Sequence, residues 1–185
     1  MCIQVLFGFM RMSIYIATSL DGFIAAKDGS LEWLTKLENP EGSDFGFKDF
    51  LRRIDAIVMG RNTYEFIKDY RPWPYDKPLF VLSSSLKVKS SLPLPEVESV
   101  HLNARELLSF LEKRGFQNIY IDGGKTINSF LREDLVDEMI ISRVPVILGD
   151  GIPLFGKFSE IKYFKHIKTE VFSNGLTKSH YIKLS

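Results

Sequence analysis

The chain has 185 residues, 45% of them apolar and 25% charged, with a formal net charge of +1. Those are the proportions of one folded domain with a single core, and a charge so near zero offers no general attraction to nucleic acid or an anionic membrane. Cys2 is the only cysteine, and His101, His166 and His180 stand in no metal-ligand spacing, so neither a disulfide nor a metal is expected, and a reducing, cytoplasmic setting fits.

Residues 1–11 are apolar but too short to span a bilayer, and they lack the basic start and small-residue cleavage site of a signal peptide. They read as an N-terminal extension to a single domain of residues 12–185. Ser13 to Thr18 reads as a strand, followed by a turn at Ser19-Leu20-Asp21-Gly22. Phe23 to Ala26 resumes extended structure, and Leu31 to Leu37 reads as a short helix or loop.

Asp44 to Ile54 carries the helical stripe Phe47, Phe50, Leu51, Ile54, with Ser43 or Asp44 as a cap. Ala56 to Met59 is a short apolar run, the mark of a strand buried on both faces. Gly60-Arg61-Asn62 turns it into a helix beginning near Thr63. Leu79 to Leu82 is a strand ending at Ser83-Ser84-Ser85. Ser90 to Pro95 reads as irregular, Val97 to Leu102 as a short strand, and Ala104 to Arg114 as a helix ended by Gly115.

Asn118 to Leu131, NIYIDGGKTINSFL, is a strand, a glycine turn and a helix opening. Ile119, Tyr120 and Ile121 are apolar and β-favouring. Asp122-Gly123-Gly124-Lys125 breaks the run, and Ile127, Phe130 and Leu131 fall at helical spacing. Two adjacent glycines let a backbone approach a ligand, and the free N–H groups of the following helix suit an anion. The glycines also suit a plain tight turn. A strand follows within Val136 to Val146, then a glycine-rich loop from Leu148 to Pro153. Phe164 to Phe172 and Leu176 to Leu184 are two strands joined at Asn174-Gly175, a strong hairpin signal. Strands and helices alternate until that hairpin. The pattern predicts an α/β fold with a mostly parallel central sheet, helices on both faces and an antiparallel C-terminal hairpin.

Ligands of such sheets bind at the carboxyl ends of the strands. Three of these ends carry glycines, hydroxyls and a cation suited to a dinucleotide: Gly60-Arg61-Asn62-Thr63, Leu82-Ser83-Ser84, and Gly123-Gly124-Lys125-Thr126. Gly124-Lys125-Thr126 is not a P-loop, because the leading glycine would have to sit at Ile119, and no G-x-G-x-x-G occurs.

The pieces IATSLDGFIA, DAIVMGRNTYE, LFVLSS, IYIDGGKTINSFL and VDEMIISRVPVILGDGIPLF resemble the dihydrofolate reductase fold. They are most similar to its branch that includes the reductase domain of riboflavin-biosynthesis deaminase-reductases, the RibD C-terminal domain. The resemblance runs from Ser13 to about Phe155, and the NG hairpin extends it to the end. It implies a bound NADPH. Gly60, Arg61, Asn62 and Thr63 would hold the adenosine 2′-phosphate and the neighbouring diphosphate. Leu82, Ser83 and Ser84 would line the adenine and 2′-phosphate end. Gly123, Gly124, Lys125, Thr126 and Ile127 would wrap the diphosphate, and Ala17, Asp21, Gly22 and Ile24 would border nicotinamide and substrate.

Asp44 matches the position of the proton-managing carboxylate of the dihydrofolate reductases, and hydride transfer to a C=N bond needs a proton delivered to nitrogen. Asp44 also reads as a helix N-cap, and Asp21 reads equally as a turn residue. Both are the candidate catalytic residues. Trp33, Trp73 and Tyr75 suit either a flat-ring pocket or the core.

Two departures bear on the substrate. Tyr15 stands where the riboflavin reductases usually carry lysine, and Glu65 to Asp76 has no clear counterpart of their Asp-Pro element. The chain also lacks a deaminase half, having no H-x-E with P-C-x-x-C. The expectation is a cytoplasmic NADPH-dependent reductase of a small heterocyclic or ribosylamino substrate. Reduction of dihydrofolate or another pterin, and a non-catalytic nucleotide-binding module, are the alternatives. A homodimer is expected, because edge strands are rarely left bare.

Overall fold

The computed structural model describes residues 10–90 and 96–184. Its strands are β1 (Arg11–Thr18), β2 (Phe23–Ala25), β3 (Ala56–Gly60), β4 (Leu79–Leu82), β5 (Lys89–Ser90), β6 (Val97–Val100), β7 (Asn118–Asp122), β8 (Glu138–Arg143), β9 (Ile152–Pro153), β10 (Phe164–Val171) and β11 (Thr177–Lys183). Its helices are α1 (Glu32–Thr35), α2 (Phe47–Arg52), α3 (Arg61–Ile67), α4 (Ala104–Lys113) and α5 (Gly124–Arg132).

Nine strands form one sheet in the order β10-β11-β8-β1-β7-β3-β4-β6-β5, and β2 pairs with β9 apart from it. From β8 to β6 the strands are parallel; β11 and β10 form the antiparallel hairpin, and β5 is antiparallel at the other edge. The α/β reading, with its mostly parallel sheet and antiparallel C-terminal hairpin, therefore holds.

Alternation along the strands divides the core in two. One face carries Met12, Ile14, Val58, Phe80, Ile119 and Ile121 and is covered by α4 and α5 through Leu107, Leu111, Ile127, Phe130 and Leu131. The second face carries Ile57, Met59, Leu79, Val81 and Tyr120 and is covered by α2 through Phe50, by Ile54 just after it, and by α3 through Ile67. β3 lies between β7 and β4 and has no solvent face, which is why AIVM is apolar without alternation.

Local chemistry explains the ends. The Asn103 side chain accepts the Glu106 N–H and the Glu106 carboxylate accepts the Asn103 N–H, a capping box that starts α4. Gly175 sits at φ +83 in the β10–β11 hairpin, as an NG turn requires.

Three readings need correction. Arg11 already belongs to β1 and donates its N–H to the Gln117 carbonyl, so a boundary after residue 11 cuts a strand. Residues 1–9 lie outside the described residues. Ser90 belongs to β5 rather than to an irregular stretch, and 91–95 lie outside the described residues. α2 begins at Phe47 rather than Asp44, because Phe45 and Gly46 take positive φ of 54° and 88°. No helix among the described residues is long and apolar enough to cross a membrane.

Candidate active site at the carboxyl edge of the sheet

The register brings the three expected strand ends to one edge. Gly60 pairs with Leu82, and Met59 pairs with Asp122, so the turns after β3, β4 and β7 open side by side. α3 and α5 start directly at these turns, with Gly60 and Gly123 as N-caps that offer no side chain to the helix N–H groups. The first N–H groups of each helix have no partner within the helix and face the same edge.

The two helix starts lock together through reciprocal Gly–Thr contacts. A Cβ on Gly60 would lie 2.9 Å from Thr126 Oγ1, and a Cβ on Gly123 would collide with the Thr63 hydroxyl. Gly123 also sits at φ +87. These glycines are therefore required by the close approach of the two turns.

Arg61 Nη1 donates to Ser85 Oγ at 3.0 Å, tying the start of α3 to the turn after β4. Glu65, one helical turn on from Arg61, accepts from Lys68 Nζ at 2.5 Å. Ser83 Oγ accepts the N–H groups of Ser85 and Leu86, which shapes that turn and leaves the Ser83 hydroxyl proton to donate. Asn62, Ser84 and Lys125 are exposed at the same edge. Leu82 packs on the first-face core.

Other expected site residues serve the fold. The Ile127 side chain is fully buried in the core and its N–H donates to the Gly123 carbonyl at 2.9 Å, so neither can wrap a diphosphate. Thr126 is 5% exposed against Gly60. The space beside Gly124 is filled by Ile24, whose Cδ1 would lie 2.7 Å from a Cβ there. Gly22 carbonyl accepts the Leu154 N–H at 2.9 Å and joins the loop after β1 to β9. Ala17 lies near the end of β1, level with Ser142 of β8.

The two candidate carboxylates are exposed and occupied by backbone donors. Asp44 Oδ1 accepts the Gly46 N–H and Oδ2 the Lys48 N–H, both at 2.9 Å, which holds its carboxyl below the usual range. It is a cap for α2, and the shielded carboxyl expected there is absent. Asp21 accepts the Leu148 and Gly149 N–H groups at 3.2 and 2.8 Å and clamps that loop; the Ser19 hydroxyl and these N–H groups lower its pKa.

The shielded carboxyl is Asp122, the last residue of β7. The residue as a whole is half-buried, but its carboxyl is enclosed, and burial pushes it up to about 6. The Gly123 N–H at 2.7 Å and the Tyr120 hydroxyl act in the opposite direction without cancelling burial. Tyr75 lies close enough that the carboxylate raises its own pKa further, beyond what burial does. No Lys or Arg pairs with Asp122 among the described residues. Tyr120 also packs with Tyr15, Phe47 and Phe50 in an aromatic cluster with centroids 5.0–6.2 Å apart. Trp73 stands edge-on to Tyr75, and among the described residues its buried indole N–H and the buried Ser142 hydroxyl have no partner. Asp122 was hidden in the sequence as part of a turn; the available signal was a carboxylate at a strand end directly before the glycine pair.

The sequence matches the RibD C-terminal domain over residues 12–178. The chain belongs to that family. It is 38% identical over 173 residues to the uncharacterized protein YwjB of Bacillus subtilis (strain 168), covering 92% of this chain and 96% of that protein. A solved structure from Shewanella sp. PV-4, provisionally named for riboflavin biosynthesis, superposes with a TM-score of 0.89 at 42% identity, covering 95% of this chain and all of that one. The deaminase-reductase of Thermotoga maritima shares the fold at a TM-score of 0.71 and 18% identity; the match spans 95% of this chain and 57% of that protein. The family is riboflavin-biosynthesis reductase-like.

Proposed function

We propose that this RibD C-terminal family member is an NADPH-dependent reductase of a small, flat heterocyclic or ribosylamino substrate. The observation that carries the reading is the joining of two uncapped helix starts by Gly60–Thr126 and Gly123–Thr63, with Arg61 held at the next turn. This donor set fits a dinucleotide phosphate: backbone N–H groups for the diphosphate, and Arg61 with Ser83 and Ser84 for a 2′-phosphate. Bound nicotinamide would supply the hydride.

The chain's own contribution is position and a proton. Asp122 lies at the strand end between the glycine pair and the aromatic cluster. A carboxyl with a pKa of about 6 is a usable acid near neutrality and would be the proton source for a substrate nitrogen. Tyr120 and the Gly123 N–H orient it. Tyr120 and Tyr75 shield the carboxyl from water. Asp21 and Asp44 shape the loops around this site without joining the chemistry. A cytoplasmic setting suits both the cofactor and the single cysteine.

Pterin reduction is the second reading, because an uncompensated carboxyl such as Asp122 suits the N–H donors of an aminopyrimidine ring. NADPH oxidation against pyrimidine and pterin substrates tests both. NADPH binding without turnover of any of them would favour a nucleotide-binding module instead.

A further inference from the structure

Of the three histidines, His166 bonds Thr169 and His180 lies 2.6 Å from Glu138. The imidazole of His101 is exposed and has no hydrogen-bond or ion-pair partner among the described residues. Its place is set by register. β4 and β6 run parallel with Leu82 level with Val100, and the Ser83 N–H donates to the Val100 carbonyl at 3.1 Å. Ser83 and His101 are the next residues on these neighbouring chains, which lie about 5 Å apart.

Alternation sets the side. Val100 and Leu102 both pack on the first-face core, so His101 between them points to the second face. Val81 lies in the second-face core and Leu82 on the first, so Ser83 points the same way as His101. α3 covers that second face, and its first residue, Arg61, reaches Ser85 in the turn after β4. Arg61, the Ser83–Ser85 turn and His101 therefore follow one another along the carboxyl ends of β3, β4 and β6, on one side of the sheet. The carboxylates closest to them in the chain are occupied: Glu65 accepts from Lys68, and Glu106 accepts the Asn103 N–H.

We propose that His101 is a second cationic contact for the adenosine 2′-phosphate, opposite Arg61 across the serine turn. The proposal rests on the dinucleotide reading and adds to it a residue that selects for the phosphorylated cofactor. A phosphomonoester carries about −1.5 to −2 charges near neutrality, and one guanidinium offsets only part of that. The hydroxyls of Ser83 and Ser84 donate hydrogen bonds but bring no charge. An imidazole supplies a directed N–H donor, and a phosphate dianion beside it favours its charged form. Arg61 and His101 thus divide the phosphate charge between two elements, α3 and the end of β6.

Calorimetric titration of the full chain with adenosine 2′,5′-bisphosphate and with adenosine 5′-monophosphate isolates this contact from turnover. Wild type should bind the bisphosphate more tightly. His101→Ala should weaken bisphosphate binding about five- to tenfold and leave the monophosphate within about twofold, and the loss should shrink at about 0.5 M salt. His101→Arg should keep the wild-type affinity, and His101→Glu should lose more than His101→Ala. A His101→Ala protein that binds the bisphosphate like wild type, or loses both ligands equally, would remove His101 from the site; if Arg61→Ala still weakened the bisphosphate, the dinucleotide reading would stand. A His101→Arg protein as weak as His101→Ala would show that charge at this position is not what the phosphate meets, and would also overturn the proposal. A wild type that binds the two nucleotides equally, or neither, would overturn the proposal and the NADPH reading together.

Discussion

Arg61 Nη1 lies 3.0 Å from Ser85 Oγ, so the helix that opens after β3 and the turn that follows β4 share one donor surface. A phosphate placed there gains a guanidinium held in position by a neutral hydroxyl. Arg61→Ala should weaken NADPH binding about ten- to a hundredfold, roughly 1.5–3 kcal/mol, and leave NADH nearly unchanged. Calorimetric titration of both nucleotides into wild type and variant reads this directly; equal losses for the two would remove Arg61 from the 2′-phosphate site.

Asp122 should govern the pH dependence. Its carboxyl is raised to about 6, so the acid form is lost as pH rises through that value, and kcat/KM should fall on the same limb. Asp122→Asn should remove the limb and lower turnover by about a hundredfold or more while preserving NADPH affinity. Stability has its own sign. A carboxyl raised above its ordinary value contributes stability at low pH that disappears as pH rises through about 6. The asparagine variant should therefore be more stable than wild type at pH 7.5, with the advantage shrinking toward pH 4. Urea melts at the two pH values measure the difference; an advantage independent of pH would contradict the burial argument.

Glu138 should behave in the opposite sense. Burial pushes its carboxyl up, but Arg53 at 2.8 Å, the Ser13 hydroxyl at 2.7 Å and the charge of Arg11 outweigh burial and leave it below the usual range. Its contribution is present above its ordinary pKa and fades as pH falls through the lowered value. Arg53→Ala removes the nearest guanidinium and leaves that carboxylate with the Ser13 hydroxyl, the His180 ring and the more distant Arg11. It should cost roughly 2–3 kcal/mol in chemical denaturation at pH 7, less than for a fully buried pair because the guanidinium side is open to water.

Asp44 should prove a cap. Asp44→Ala removes the acceptor for the Gly46 and Lys48 N–H groups and should cost about 1 kcal/mol, with Asp44→Ser recovering most of it. Turnover by either folded variant should stay within about twofold of wild type, well short of the loss expected of a proton-transfer residue. A hundredfold loss in Asp44→Ser would return the chemistry to α2.

The sequence by itself determined the elements and the turns that matter. Ile119 to Ile121 followed by two glycines and the Ile127-Phe130-Leu131 stripe specified β7, a close turn and α5, because side-chain period and positive φ are local properties. Asn174-Gly175 specified the hairpin for the same reason. The alternation of strands and helices then predicted a parallel sheet with Gly60, Leu82 and Gly123 at one carboxyl edge, and the resemblance to a known fold assigned them their roles. Only the tertiary structure decided what each side chain does there. Ile127 turns into the core, Gly124 is shadowed by Ile24, and Asp44 is taken by its own helix start. Asp122 becomes the shielded carboxyl because Tyr120 from its own strand and Tyr75 from a distant loop enclose it. Desolvation depends on everything that surrounds a group, and most of what surrounds Asp122 is far from it in the chain.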